Sequence, residues 1–187
     1  MNRIIKEERS AEYVVIMTLL WVTGARISEV LALTPNHFRT LSTDDFGVTL
    51  QTLKKRGRPR TRLRGESLQR FVPILDLNAQ QRIINYLEMS RGRASERLFT
   101  MSRQSVDNHI KAACRLAGFD WIKASAHTFR HSFAIHLLIH ARPLKFISKM
   151  LGHSSIQYTE IYTNVLTSDM DHFFEGIEFC SLEYSLR

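Results

Sequence analysis

Cysteine is scarce. Cys114 and Cys180 are the only two in 187 residues, and they form no CxxC pair. A disulfide framework or a cysteine-based zinc site is therefore not expected, and a reduced, cytoplasmic setting is the natural reading. Long apolar runs are missing too. The longest, Tyr13 to Val22, is interrupted by Thr18 and falls short of the ~20 residues a membrane span needs. The amino terminus, MNRIIKEERS, is charged and has no apolar stretch, so no secretory signal is visible. With 4 prolines and 8 glycines against 44% apolar and 10% aromatic residues, the composition is that of a folded chain. Its length suits one domain with a substantial core.

Charge of one sign is nearly or wholly missing from each of two stretches. Between Lys54 and Arg70, Glu66 alone opposes eight basic residues: Lys54, Lys55, Arg56, Arg58, Arg60, Arg62, Arg64 and Arg70. Between Glu160 and Glu183 there are six acids and no lysine or arginine. A surface shaped only for solubility does not segregate charge in this way. Together with the formal charge of +8, the basic stretch points to a polyanion, with nucleic acid favoured over a merely solvated loop. Within it, KRGRPR (Lys55 to Arg60) resembles an AT-hook that lies in an A/T-rich minor groove, although general phosphate contact is the broader expectation.

Periodicity predicts a mainly helical chain interrupted by a small sheet. Ser10 to Val22 reads as a helix with Ser10 as N-cap, broken at Thr23-Gly24. A second helix is expected from Ala25 to Leu33, stopped by Pro35. Short strands follow at Phe38 to Leu41, Gly47 to Leu53 and Arg70 to Ile74, with Val48 and Leu50 alternating against Thr49 and Gln51. Helices are then expected over Asp76 to Met89, from Ser102 or Ser105 to Gly118, and over Ser125 to His140. Another is expected after Pro143, capped at Gly152. An acidic amphipathic helix over 168–179 completes the set.

Two stretches carry the chemistry. AHTFRHSFA, Ala126 to Ala134, puts His127 and Arg130 one turn apart on one helix face. LGHSSIQYTEIY, Leu151 to Tyr162, supplies His153 and a phenol. A tyrosine oxygen can attack phosphorus while cationic donors hold the phosphoryl group. Tyr158 and Tyr162 lie four residues apart, on one face if helical, so chemistry alone does not choose between them. Arg26 is expected in a helix's first turn, where a cation is mildly disfavoured, which hints at an anion to be met. Glu29 reads equally as an orienting partner for Arg26 and as an ordinary ion pair.

HTFRH, then LGHS, then TEIYT, with TGARISEVLAL (Thr23 to Leu33) upstream, resemble the boxes of the tyrosine recombinases, the integrase and Xer-type family. These boxes occur in order over roughly Leu19 to Val165. The resemblance implies an α+β catalytic domain, mainly α with a small antiparallel sheet, spanning residues 1–187, with the family's N-terminal DNA-clamping domain absent. It implies site-specific DNA recombination through a 3′-phosphotyrosyl intermediate on double-stranded DNA. A type IB topoisomerase-like nicking-closing enzyme and a non-catalytic DNA-binding regulator are the alternatives on the same scaffold.

Carried over by motif, Tyr162 is the nucleophile, while Arg26, Arg130, His127 and His153 surround the phosphate. Glu29 supports Arg26. Lys54 matches the strand's catalytic lysine, with Lys55 the rival because a one-residue slip exchanges strand faces. Lys55, Arg56, Arg58, Arg60, Arg62 and Arg64 belong to an insert, about residues 54–70, longer than the usual family turn and expected on DNA. His131 and His136 are expected to be structural. No cofactor and no metal are implied, since the cations replace Mg²⁺ and no carboxylates cluster to bind one. Homo-oligomerisation on DNA through the last helix is implied, with docking on the chain's own core as the other reading.

Overall fold

Helix α2, Ala11–Thr23, forms the centre of the protein. It is apolar on nearly every face, and a helix of that kind must be enclosed. Ile16, Met17, Leu19 and Leu20 are at most 1% exposed. The computed structural model describes residues 1–40, 46–51, 69–90, 94–121 and 123–163. Around α2 pack α1 (Asn2–Glu7), α4 (Leu77–Met89), α5 (Arg103–Leu116) and α6 (Ala126–Ile139). A four-residue α3, Ile27–Val30, follows α2, and α7 (Leu144–Leu151) and α8 (Gln157–Glu160) follow α6.

Three strands, β1 (Phe38–Thr40), β2 (Phe46–Gln51) and β3 (Gln69–Pro73), form an antiparallel sheet in the order β1-β2-β3. Val48 faces Phe38 on one side and Val72 on the other, and Leu50 faces Arg70. Val48 and Leu50 are buried while Gln51 is exposed, the alternation expected of a half-buried strand. The result is the mainly helical α+β architecture read from the sequence.

The expected helix over Ala25–Leu33 is corrected to the short α3. Arg26 is its N-cap, in extended conformation (φ −74°, ψ 145°), and not a first-turn residue. The physical reason is a capping box: the Arg26 amide donates to Glu29 Oε2 at 2.8 Å, which fixes the helix start one residue after the arginine. Ser102, not Ser105, caps α5, accepting from the Ser105 amide at 3.1 Å. In α4 Leu77 is 76% exposed because it sits in the first turn, beyond the core that receives Ile83. Residues 54–68 of the insert, and residues 164–187 with the helix expected over 168–179, lie outside the described residues.

Gly24 ends α2 in the left-handed region at φ +60°, and a Cβ there would run into the Phe133 ring of α6. Both backbone conformation and space demand glycine. Gly24→Ala is expected to destabilise the protein by roughly 2–4 kcal/mol, the sum of a strained φ and an overpacked contact. Urea denaturation with an unchanged m-value checks it, and a loss below about 0.5 kcal/mol contradicts this account.

Candidate active site

Arg130 occupies the junction of three elements. It is 3% exposed, and its guanidinium donates from Nη1 to the Gly24 carbonyl at 2.7 Å and from Nη2 to the Leu151 carbonyl at 2.8 Å. Both carbonyls sit at helix C-termini that end in left-handed glycines, Gly24 after α2 and Gly152 after α7. Helix C-termini attract cations, so two separate helix ends are aimed at one guanidinium. Burial, together with the neighbouring Arg26 charge, lowers the Arg130 pKa to about 10, which leaves it protonated at neutral pH.

A cleft of about 160 Å³ opens beside it, lined by Ala25, Arg26, Ile27, Ser28, Arg103, Ala126, His127 and Arg130. The sequence-predicted Arg26, His127 and Arg130 thus converge on one concavity. Arg26 remains 40% exposed while its Nη1 donates to Glu29 Oε1 at 3.1 Å. Glu29 is fully enclosed. Burial alone would raise its pKa, but hydrogen bonds and charge from Arg70, then Arg26, outweigh burial and hold it below the usual carboxylate range. His127 is pushed down by burial and by Arg130, Arg103 and Arg26, so it stands neutral and able to accept a proton.

His153 lies one residue past Gly152. Its Nδ1 shares a 2.8 Å hydrogen bond with the hydroxyl of Thr159, which is wholly buried, so Nε2 is the nitrogen directed elsewhere. Burial, then Arg130, Arg26 and Arg70, lower its pKa to about 4. A histidine depressed in this way is neutral in the folded state while the unfolded chain still takes up a proton near pH 6.5. Its stabilisation is present above pH 6.5 and is lost as pH falls from there towards 4. His153→Gln is expected to flatten the fall in unfolding free energy across that window. Urea melts at pH 7, 6, 5 and 4.5 measure it, and parallel curves for the two proteins count against a neutral His153.

Tyr162 is 6% exposed and packs against Phe133, Ala134, Leu138, Ile147 and Leu151. Its ring meets His131 edge-on at 5.4 Å, and His131 in turn meets His127 edge-on at 4.3 Å. Burial raises the Tyr162 pKa and the Arg130 charge works against that rise. The expectation that Tyr158 and Tyr162 share a helix face is corrected. Helix α8 ends at Glu160, so Tyr162 turns back into the core while Tyr158 is 61% exposed near His153. Lys54, Lys55, Arg56, Arg58, Arg60, Arg62 and Arg64 lie outside the described residues.

Sequence reasoning missed three residues. Arg70 was counted with the basic stretch, yet it is a buried partner of Glu29 through Nη1–Oε1 (3.0 Å) and Nη2–Oε2 (2.7 Å). The available signal was its place in the same inward period-2 register as Val72. Arg103, on the polar helix face whose pattern suits contact with DNA or solvent, reaches the cleft itself from the first position of α5. His131, expected to be packing alone, bridges the rings of His127 and Tyr162. His109, further along α5, turns from the cleft to stack on Tyr13 at 3.5 Å and pair with Glu8 at 2.9 Å.

The phage integrase family model matches residues 1–169. A resolvase of Escherichia coli K12 is 33% identical over 175 residues, 83% of this chain and 65% of the resolvase. Tyrosine recombinase XerD of Yersinia pestis is 34% identical over 162 residues, 81% of this chain. This chain therefore spans about two thirds of the one relative and 49% of the other. Among solved structures, XerH site-specific recombinase bound to palindromic difH substrate aligns with a TM-score of 0.72 at 20% identity, covering 92% of this chain and 50% of XerH. The catalytic domain of bacteriophage HP1 integrase aligns with a TM-score of 0.60 at 24% identity, covering 90% of this chain and 86% of that domain. The family model runs from the first residue through the last box at Tyr162, and the fold around the cleft is the one those structures share: the chain belongs to the phage integrase family.

Proposed function

We propose that this chain is a catalytic domain for site-specific DNA recombination, cleaving and rejoining strands through a 3′-phosphotyrosyl intermediate. The observation that carries this reading is the convergence of Arg26, His127 and Arg130 on one cleft, with Tyr162 linked to it through His131. Two guanidiniums can grip the nonbridging oxygens of a phosphodiester, and a neutral His127 can take the phenolic proton. The Tyr162 oxygen forms a bond to phosphorus as the bond to the 5′ oxygen breaks. That oxygen leaves with a proton from Lys54, or from Lys55 if the strand register runs one residue later. His153, steadied by Thr159, donates from Nε2 to the phosphoryl group. Because Tyr162 is buried in the free protein, attack requires the turn after Glu160 to move its ring towards the DNA.

Positive charge in the site takes the part that a metal plays in other phosphoryl-transfer enzymes, so the reaction proceeds in EDTA and without ATP. Residues 55–64 add phosphate contacts along the duplex. The acidic, apolar segment over 168–179 joins protomers on DNA, and the protein acts in the cytoplasm. Among the described residues no helix is long and apolar enough to cross a membrane.

The test is covalent capture. Protein in EDTA is mixed with nicked duplexes bearing a randomised site, and SDS-stable adducts are recovered and sequenced. The expected result is a protein–DNA adduct at a recurrent sequence, with the nucleotide mapped to Tyr162 by mass spectrometry. Duplexes that are bound without any covalent product would leave a DNA-binding module and remove the enzyme.

A further inference from the structure

Arg70 stands outside the cleft yet touches the elements that build it. It belongs to β3, opposite Leu50 of β2, and its side chain is 7% exposed. The guanidinium forks onto both oxygens of Glu29, at 3.0 and 2.7 Å. Its Nε donates to the Met150 carbonyl at 2.7 Å, two residues ahead of the turn that carries His153. That turn is bare by necessity, because a Cβ on Gly152 would lie 2.7 Å from Arg70 Nη1.

Arg26 and Arg70 thus share one enclosed carboxylate unequally. Arg26 uses a single contact of 3.1 Å and stays 40% exposed, whereas Arg70 makes two and is sealed. A paired fork of this kind is the stronger geometry. Without it, Glu29 would be a buried charge with Arg26 as its chief remaining cation, and buried carboxylates draw in whatever counter-charge is near.

We propose that Arg70 is a positioning residue for strand cleavage: by neutralising Glu29 it leaves the Arg26 guanidinium as a net positive group facing the cleft, and through Met150 it sets the Gly152–His153 turn against the same phosphate. This inference rests on the recombinase reading above. It explains why a charged residue occupies an inward strand position, and it makes β3 a strut between the arginine box and the histidine turn.

The experiment uses a duplex recovered from the covalent selection, with single-turnover cleavage at saturating protein and noncovalent affinity measured in a Tyr162→Phe background. Arg70→Met is expected to slow cleavage about 100-fold while affinity changes less than about threefold. In Glu29→Gln/Arg70→Met, the amide no longer captures Arg26, and about tenfold of the lost rate returns. Arg70→Lys, charged but without the fork, should fall between wild type and Arg70→Met.

Wild-type speed in Arg70→Met, an equal loss of affinity and cleavage, or a double variant no faster than the single one overturns the proposal. Should Arg70→Met fail to fold, the double variant, which buries no lone carboxylate, and Arg70→Lys decide it by cleaving below or at the wild-type rate. If wild-type protein forms no adduct, the recombinase reading fails separately. Inorganic phosphate titrated against the ¹⁵N-labelled Arg26 side chain then tests Arg70, and an Arg70→Lys variant with undiminished phosphate affinity sinks the positioning role.

Discussion

Tyr162→Phe is expected to abolish the covalent protein–DNA adduct, a loss of roughly 10⁴-fold or more, while Tyr158→Phe stays within about tenfold of wild type. Exposure alone argues the reverse, since Tyr158 is open to solvent and Tyr162 is closed off. Electrostatics and connection support the proposal for Tyr162. It feels the Arg130 charge, and its ring leads through His131 to His127, whose depressed pKa suits a proton acceptor. Among the described residues, the ring that Tyr158 meets is that of His153, at 6.0 Å. Removing the Tyr162 hydroxyl keeps the ring packed on Phe133 and Leu151, so folding and noncovalent DNA binding should survive. SDS gels of both variants on the captured duplex check this. An adduct that persists in Tyr162→Phe and vanishes in Tyr158→Phe would reassign the nucleophile.

Arg130→Ala should damage both folding and chemistry. It strips the donor from two carbonyls, Gly24 and Leu151, and each buried acceptor left unpaired costs about 1–3 kcal/mol, so roughly 2–6 kcal/mol of stability should go. Adduct formation should fall at least about 10³-fold, measured at a temperature where the variant is still folded. Arg26→Ala provides the contrast. Its side chain is 40% exposed and anchored at one point, so stability should change by no more than about 1 kcal/mol while the rate falls comparably. Thermal melts set beside single-turnover rates separate the two arginines. Equal destabilisation by both would show that Arg130 is not clamped between the helix ends.

Much of the fold was legible because its elements are patterned locally. The apolar run of α2, the glycine that stops it, the alternation around Val48 and Leu50 and the restart after Pro143 all act over a few residues. The site was legible in part for the same reason, since His127 and Arg130 lie one turn apart on α6. Where reading failed, a distant or competing contact had intervened. The helix expected from Ala25 starts two residues late because Glu29 reaches back to the Arg26 amide, and past Val30 the backbone turns to i→i+3 bonds, Ala32 to Glu29 and Leu33 to Val30. Tyr162 left the face of Tyr158 because α8 ends early and the Phe133–Leu151 cluster takes its ring.

Arg70 shows where that boundary falls. Residue order alone specified which side chains could bear charge, which helices would form and which boxes carry a histidine, an arginine and a phenol, because those properties depend on the residue and its near neighbours. Folding decided that Arg70 faces inward to Glu29, that two helix ends share Arg130, and that Arg103 joins the cleft. Those pairings depend on distances between segments 21 to 106 residues apart, and charge at such a site is set by what burial brings together.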